Sequence, residues 1–256
     1  MKSDIEWRKW GEIDPLYAVA TWSGKSKDAS NPWKDEEFYE LGRSDWANFK
    51  RHWVHYGVEQ GTCLEIGCGA GRITKHLAGD FHIVKAFDVS EGMINYAKQR
   101  VIDSNVEFLL AAGGQLPVGD GSVDAVFSTH VFQHFDHMEQ ASKYFHEIHR
   151  VLTNNGSMMI HLPIYEWPEH SGIHRMLRGI LKSIDDARAS YSRFLIQHGR
   201  WRPLMRFLLY ELHWLYQSLD DVDFTDVQVR IIRLKSNNAP HPFVFARKSI
   251  QRSEVE

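Results

Sequence analysis

The chain has 256 residues, 43% of them hydrophobic and 25% charged, with a formal net charge of −3. That length fits one sizeable core plus an accessory element, and the composition excludes a wholly disordered chain. The charge balance and a pI of about 6.6 exclude a global field that would draw the protein to nucleic acid or to an anionic membrane.

The first residues are polar, with Lys2, Asp4, Glu6, Arg8 and Lys9, and neither an apolar signal segment nor a run of about 18 apolar residues follows. Cys63 and Cys68 share one short apolar segment, a pattern of neither a disulfide framework nor a zinc site. Buried thiols in a reducing, cytoplasmic compartment are expected, with no metal site.

Residues 1–61 mix aromatics with the turn signals Asp14-Pro15, Ser23-Gly24 and Asn31-Pro32. From Lys34 to Tyr56 helical spacing takes over: Phe38, Leu41, Phe49 and Trp53 form a stripe that only Asp45 interrupts. This zone lacks the strands to fold alone and reads as a helical cap.

Residues 62–163 alternate strand and helix. Thr62–Ile66 is a short apolar run ending in a glycine-rich turn, and Arg72–Leu77 opens a helix. Ile83–Val89 is a second strand, followed by Ser90 as N-cap of a helix to Val101. Val106–Ala112 and Val123–Thr129 are further strands. Asp136 can cap a helix from His137 to Leu152, with Glu139 in capping-box position. Asn154-Asn155-Gly156 then turns into the strand Ser157–Leu162. Such alternation implies βαβ units, right-handed crossovers and a parallel sheet.

Residues 164–221 read as a helical insertion with many arginines, among them Arg175, Arg178, Arg188, Arg193, Arg200, Arg202 and Arg206. Ile173, Met176, Leu177, Ile180, Leu181 and Ile184 form one apolar stripe, and Leu204, Phe207, Leu208, Leu212, Leu215 and Leu219 a second. Residues 222–256 hold two strands, Phe224–Arg233 and Phe243–Lys248, as a hairpin at the sheet edge, then a tail.

The sharpest motif is Glu65-Ile66-Gly67-Cys68-Gly69-Ala70-Gly71-Arg72, between a strand and a helix. Ligands of open parallel sheets bind there, and glycines allow close approach to the main chain. A dinucleotide fingerprint would need a small residue where Arg72 stands, and a P-loop would need Gly-Lys-Ser/Thr. What remains, an acidic residue before three alternating glycines, resembles the first motif of class I S-adenosylmethionine-dependent methyltransferases.

Asp88, at the end of the second strand, stands where a doubly wound fold places a ribose-binding carboxylate. The resemblance continues through the segment Ser90-Glu91-Gly92-Met93, with Met93 against the adenine, and through Leu116-Pro117. It departs at Ala112, where the family usually carries an aspartate, so Gly113, Gln115 or a backbone carbonyl would have to meet the adenine. Asp120 to His134, then Arg150-Val151-Leu152 and Gly156, complete the series over about Thr62 to Pro163. It implies a doubly wound, mostly parallel seven-stranded sheet whose last strand is antiparallel, and S-adenosylmethionine as cofactor. The cofactor-binding residues it points to are Glu65, Gly67, Cys68, Gly69, Gly71, Asp88, Val89, Met93, Ala112, Gly113, Gln115 and His130. Trp33 to Arg43 resembles an N-terminal segment of small-molecule methyltransferases, from which Tyr39 and Arg43 would reach the cofactor carboxylate.

Methyl transfer is an in-line displacement that rests on positioning, so it needs no catalytic signature. If the acceptor must lose a proton, His134 and His130 are the candidate bases, with His161 and Glu166 behind them. The Asn-Pro-Pro-Tyr-like tetrapeptide of enzymes that methylate exocyclic amines of bases is missing; Ser128-Thr129-His130-Val131 stands there. The expected reaction is O- or N-methylation of a small molecule by a monomer or homodimer, with no membrane or nucleic-acid partner. An RNA or protein acceptor, or a scaffold without turnover, are the alternatives.

Overall fold

The computed structural model describes residues 2–112, 114–165, 205, 207–234 and 238–249. Helix α1 spans Lys2–Ile13, α2 Pro15–Val19 and α3 Asp35–Tyr56. Strand β1 (Thr62–Ile66) leads through the glycine turn to α4 (Thr74–Leu77), β2 (Ile83–Asp88), α5 (Glu91–Lys98) and β3 (Val106–Leu110). Then follow β4 (Val123–Ser128), a 3-10 turn at Phe132–His134, α6 (Met138–Val151) and β5 (Leu152–His161). The final elements are β6 (Ile164–Tyr165), β7 (Tyr210–Glu211), α7 (Leu212–Asp220), β8 (Phe224–Arg233) and β9 (Pro240–Lys248).

Seven strands form one sheet in the order β3-β2-β1-β4-β5-β9-β8. Pairings among β1 to β5 are all parallel, and β9 runs antiparallel to both β5 and β8. The doubly wound sheet and its closing hairpin are thus as the sequence predicts. Side chains alternate across it. Leu64, Ile66, Val126, Met158 and Ile160 pack with Phe145 and Ile148 of α6 and Leu215 and Leu219 of α7. Cys63, Ala125, Phe127 and Met159 pack with Trp46, Phe49 and Trp53 of α3.

Several local expectations are corrected. Asp14-Pro15 is a helix start rather than a plain turn: the Asp14 carboxylate accepts from Tyr17 N at 3.2 Å, and Pro15 opens α2. Ahead of it lies α1, which the sequence reading did not assign. Asp136 does not cap α6 with its side chain; its backbone N–H instead donates to Gln140 Oε1 at 3.0 Å. Ser90 does cap α5, accepting from Met93 N at 3.5 Å. The predicted insertion lies mostly outside the described residues, including Glu166 and the arginines from Arg175 to Arg206. Its described ends form the parallel pair β6–β7, not anticipated, and the helix α7.

Helix α1 lies across α5 through two glycines. A Cβ on Gly11 would stand 2.2 Å from Ser90 Oγ, and one on Gly92 would stand 2.6 Å from Gly11 O. Gly92→Val is therefore expected to push α1 away and destabilise the protein by about 1–3 kcal/mol, the usual cost of overpacking. Thermal unfolding beside Gly119→Val, whose Cβ would meet nothing within 4 Å, checks this. Equal melting points for the two variants would refute the crossing.

Candidate active site

A cavity of about 440 Å³ opens at the carboxyl ends of β1 and β4, where the strand order reverses. That is the ligand crevice of a doubly wound sheet, and the volume is in the range of small-molecule sites. Its floor is Ile66, Gly67 and Gly69 after β1, Asp88 and Val89 after β2, and Thr129 to Val131 after β4. Ser3, Asp4 and Trp7 of α1, Val19 to Trp22 after α2, and Met205 and Phe207 from the end of the insertion also line it.

The glycine turn is shaped by backbone angles that L side chains avoid. Gly67 and Gly69 have φ of 73° and 53°, and a Cβ on Gly67 would stand 2.2 Å from Val131. Gly69 N donates to Asp88 Oδ2 at 2.9 Å, and Ser90 N donates to Asp88 Oδ1 at 2.9 Å. These bonds hold the carboxylate at the cavity and still leave a lone pair on each oxygen for a further donor. Burial outweighs the backbone amides of Ser90, Gly69 and Val89 and raises Asp88 to about 6. Asp4, on the facing helix, adds to that rise.

Other predicted site residues sit elsewhere. Glu65 lies beneath the turn, buried, accepting from Thr74 Oγ1 at 2.6 Å; burial raises it to about 7. It braces the turn from below and does not line the cavity. Gly71 faces Ala97 and Val101, and Cys68 is buried with Ala86 and Ile94. Met93 and His130 line the cavity. Ala112 lines a second cavity beside Val89 and Arg8, Gln115 is exposed, and Gly113 lies outside the described residues.

Tyr39 and Arg43 do not line the cavity. Tyr39 Oη donates to Ala70 O at 2.8 Å, tying α3 to the glycine turn. Arg43 pairs with Glu40 at 2.5 Å on the outer face of α3, one turn away, with 69% of its side chain exposed. The contact from this helix comes from Asp45 instead. Its carboxylate accepts from Arg72 Nη1 at 2.7 Å, with 1% and 6% of the two side chains exposed. Both residues line the cavity. The one polar break in the α3 stripe and the bulky residue after the third glycine thus answer each other.

His134 also lines the cavity, its ring 4.8 Å from that of Trp7, and its Nε2 accepts from the Gln133 amide at 2.9 Å. His130 has φ of 59°, and its Nδ1 lies 3.0 Å from Thr129 Oγ1. Its ring faces those of His161 and His241 at 4.8 and 5.0 Å. Desolvation pushes His130 and His161 well below the usual imidazole range, and His241 down as well. Sequence reasoning missed α1, the segment after α2, Asp45 and His241 as parts of the site; of these only Asp45 had left a signal, as the polar break in the α3 stripe.

Residues 64–160 match the model of a methyltransferase domain family. A probable S-adenosylmethionine-dependent methyltransferase of Mycobacterium tuberculosis is 32% identical over 120 residues, covering 45% of this chain and 42% of the relative. Over these residues the chain is similar to S-adenosylmethionine-dependent methyltransferases. A malonyl-[acyl-carrier protein] O-methyltransferase of Priestia megaterium is 31% identical over 98 residues, 38% of this chain and 34% of that protein. The matches thus span well under half the length of these curated relatives. Phosphoethanolamine N-methyltransferase 1 of Haemonchus contortus shares the fold, with a TM-score of 0.61 at 15% identity over 99% of this chain and 50% of that one. Within the matched residues the turn after β1 and the carboxylate at the end of β2 meet at the crevice by the geometry described above. Among the described residues no helix is long and apolar enough to cross a membrane.

Proposed function

We propose that this chain transfers the methyl group of S-adenosylmethionine to an oxygen or nitrogen atom of a small molecule. The observation that carries this is Asp88, held by Gly69 N and Ser90 N at the cavity floor with acceptor capacity to spare. It would take both ribose hydroxyls, while Met93 and Val89 flank the adenine. The methyl group would then point along β4 toward His130, His134 and the aromatic wall.

A small acceptor is favoured by enclosure. Trp7, Trp22, Phe135, Tyr144 and Phe207 wall the space with aromatic surface. Such walls position the nucleophile about 3 Å from the methyl carbon and exclude water. With His134 Nε2 engaged by Gln133, the rate would rest on positioning more than on a histidine base.

Calorimetric titration with S-adenosylmethionine and its demethylated product comes first, followed by radiolabelled methyl transfer to panels of hydroxyl and amine acceptors. Micromolar binding is expected, with no mobility shift of bulk RNA at low salt. A salt-sensitive shift would instead favour the RNA acceptor. Absence of cofactor binding would refute the reading.

A further inference from the structure

We propose that His130, His161 and His241 form a binding site for one divalent transition-metal ion, with an open coordination position facing the cavity. The three residues come from three places in the fold: just after β4, the last residue of β5, and the start of β9. Each offers a ring nitrogen, and the three nitrogens lie within 4.8 Å of one another. Tetrahedral ligands about 2.0–2.1 Å from zinc stand roughly 3.3 Å apart. His161 Nε2 and His241 Nδ1 are already 3.1 Å apart. Only His130 needs to shift, by a side-chain adjustment of the order of 1 Å.

A second observation points to a ligand. His161 is 2% exposed, and among the described residues its Nδ1 has no hydrogen-bond partner, nor has the buried Nε2 of His241. A neutral imidazole carries one N–H and one lone pair. The single bond these rings share uses one of each, so one N–H and one lone pair remain buried without partners. Unpaired groups of this kind are rare in folded proteins and mark an absent ion or water. A cation taking the lone pairs of His161 Nε2 and His241 Nδ1 replaces their mutual hydrogen bond and puts an N–H on His161 Nδ1 and on His241 Nε2, which outer acceptors such as water would have to meet. Three imidazoles suit zinc, copper, iron or nickel rather than calcium or magnesium.

His130 and His241 line the cavity, so the fourth position would face the acceptor. Three protein ligands plus one open position is the pattern of catalytic rather than structural zinc. A metal there would bind an acceptor oxygen and lower its pKa, so that its proton could pass to water before methyl transfer. This last role rests on the methyltransferase reading; the binding of the ion does not.

The test is titration of the chelator-treated full chain with Co²⁺, read by visible absorption and by competition with Zn²⁺. One ion per chain is expected, with the intense visible bands of a four- or five-coordinate nitrogen site. His241→Gln and His161→Ala should each abolish the bands, and the exposed His55→Gln should leave them unchanged. Because His161 is buried, circular dichroism and melting of each variant run in parallel, and His241→Gln alone decides the matter if His161→Ala fails to fold. No ion bound at micromolar protein, or binding that survives both substitutions, overturns the site and leaves a hydrogen-bonded histidine cluster. Calorimetry with S-adenosylmethionine on the same samples separates the two readings: cofactor binding without cobalt sinks only the metal site, and cobalt without cofactor sinks only the methyltransferase reading.

Discussion

Asp88→Ala is expected to weaken S-adenosylmethionine binding by at least a hundredfold while the protein still folds. Two charge-assisted hydrogen bonds to ribose hydroxyls are lost, at about 1.5–3 kcal/mol each. The fold survives because two effects oppose: Gly69 N and Ser90 N lose their acceptor, but the desolvated carboxylate that raised its own pKa to about 6 is gone. Calorimetry and thermal unfolding on one preparation check both halves; affinity within threefold of the parent would remove Asp88 from the site.

The same carboxylate predicts a pH dependence. The ionised form accepts both hydroxyls, and half of it is lost at about pH 6. Affinity should therefore fall about tenfold between pH 8 and pH 5, since apparent affinity scales with the competent fraction. Stability should move the other way. Burial raises Asp88 to about 6 and Glu65 to about 7, above their unfolded values. The native state thus binds more protons than the unfolded chain between about pH 4 and 7, so stability declines as pH rises through that window. Titrations at stepped pH, with denaturant melts alongside, separate the two trends, and Asp88→Ala should flatten the first.

Asp45→Ala should be the most damaging substitution in α3. It strips the Arg72 guanidinium, 6% exposed, of its ion-pair partner. Breaking a buried pair from one side costs about 3–5 kcal/mol. For a chain of this size that lowers the melting temperature by roughly 10 °C. Replacing both partners, as Asp45→Leu with Arg72→Met, should recover most of the loss, because the desolvation of two charges is removed together with their attraction. A single variant within a degree or two of the parent would show that the pair lies closer to solvent than its burial implies.

The sheet was legible because its signals are local. Short apolar runs, the Ser90 cap and the glycine turn each act within a few residues, and the alternation of strand and helix along the chain implies parallel pairing. Asp88 was legible for the same reason: it ends a strand that follows the glycine turn at the spacing of a βαβ unit. Helix α1 was not, because Lys2 to Ile13 carries few apolar residues and Gly11 among them. Its helix is held by the crossing over Gly92, a contact that no pattern within α1 announces.

The site divides along the same line. Sequence alone determined the fold class, the crevice at the end of β1, and which residues backbone position brings to it, such as Gly67, Gly69 and Asp88. It placed Tyr39 and Arg43 on the right helix, but which face of a helix meets a cavity depends on how that helix packs. Tertiary structure turned Arg43 outward to Glu40 and Asp45 inward to Arg72. It also brought His130, His161 and His241 together, although the reading of the cysteines had led to no metal site. These three stand far apart in the chain and share no spacing, and only the pairing of β5 with β4 and β9 sets them side by side. Local periodicity fixes which atoms a segment can present, whereas the meeting of distant side chains depends on long-range register, which exists only once the sheet has formed.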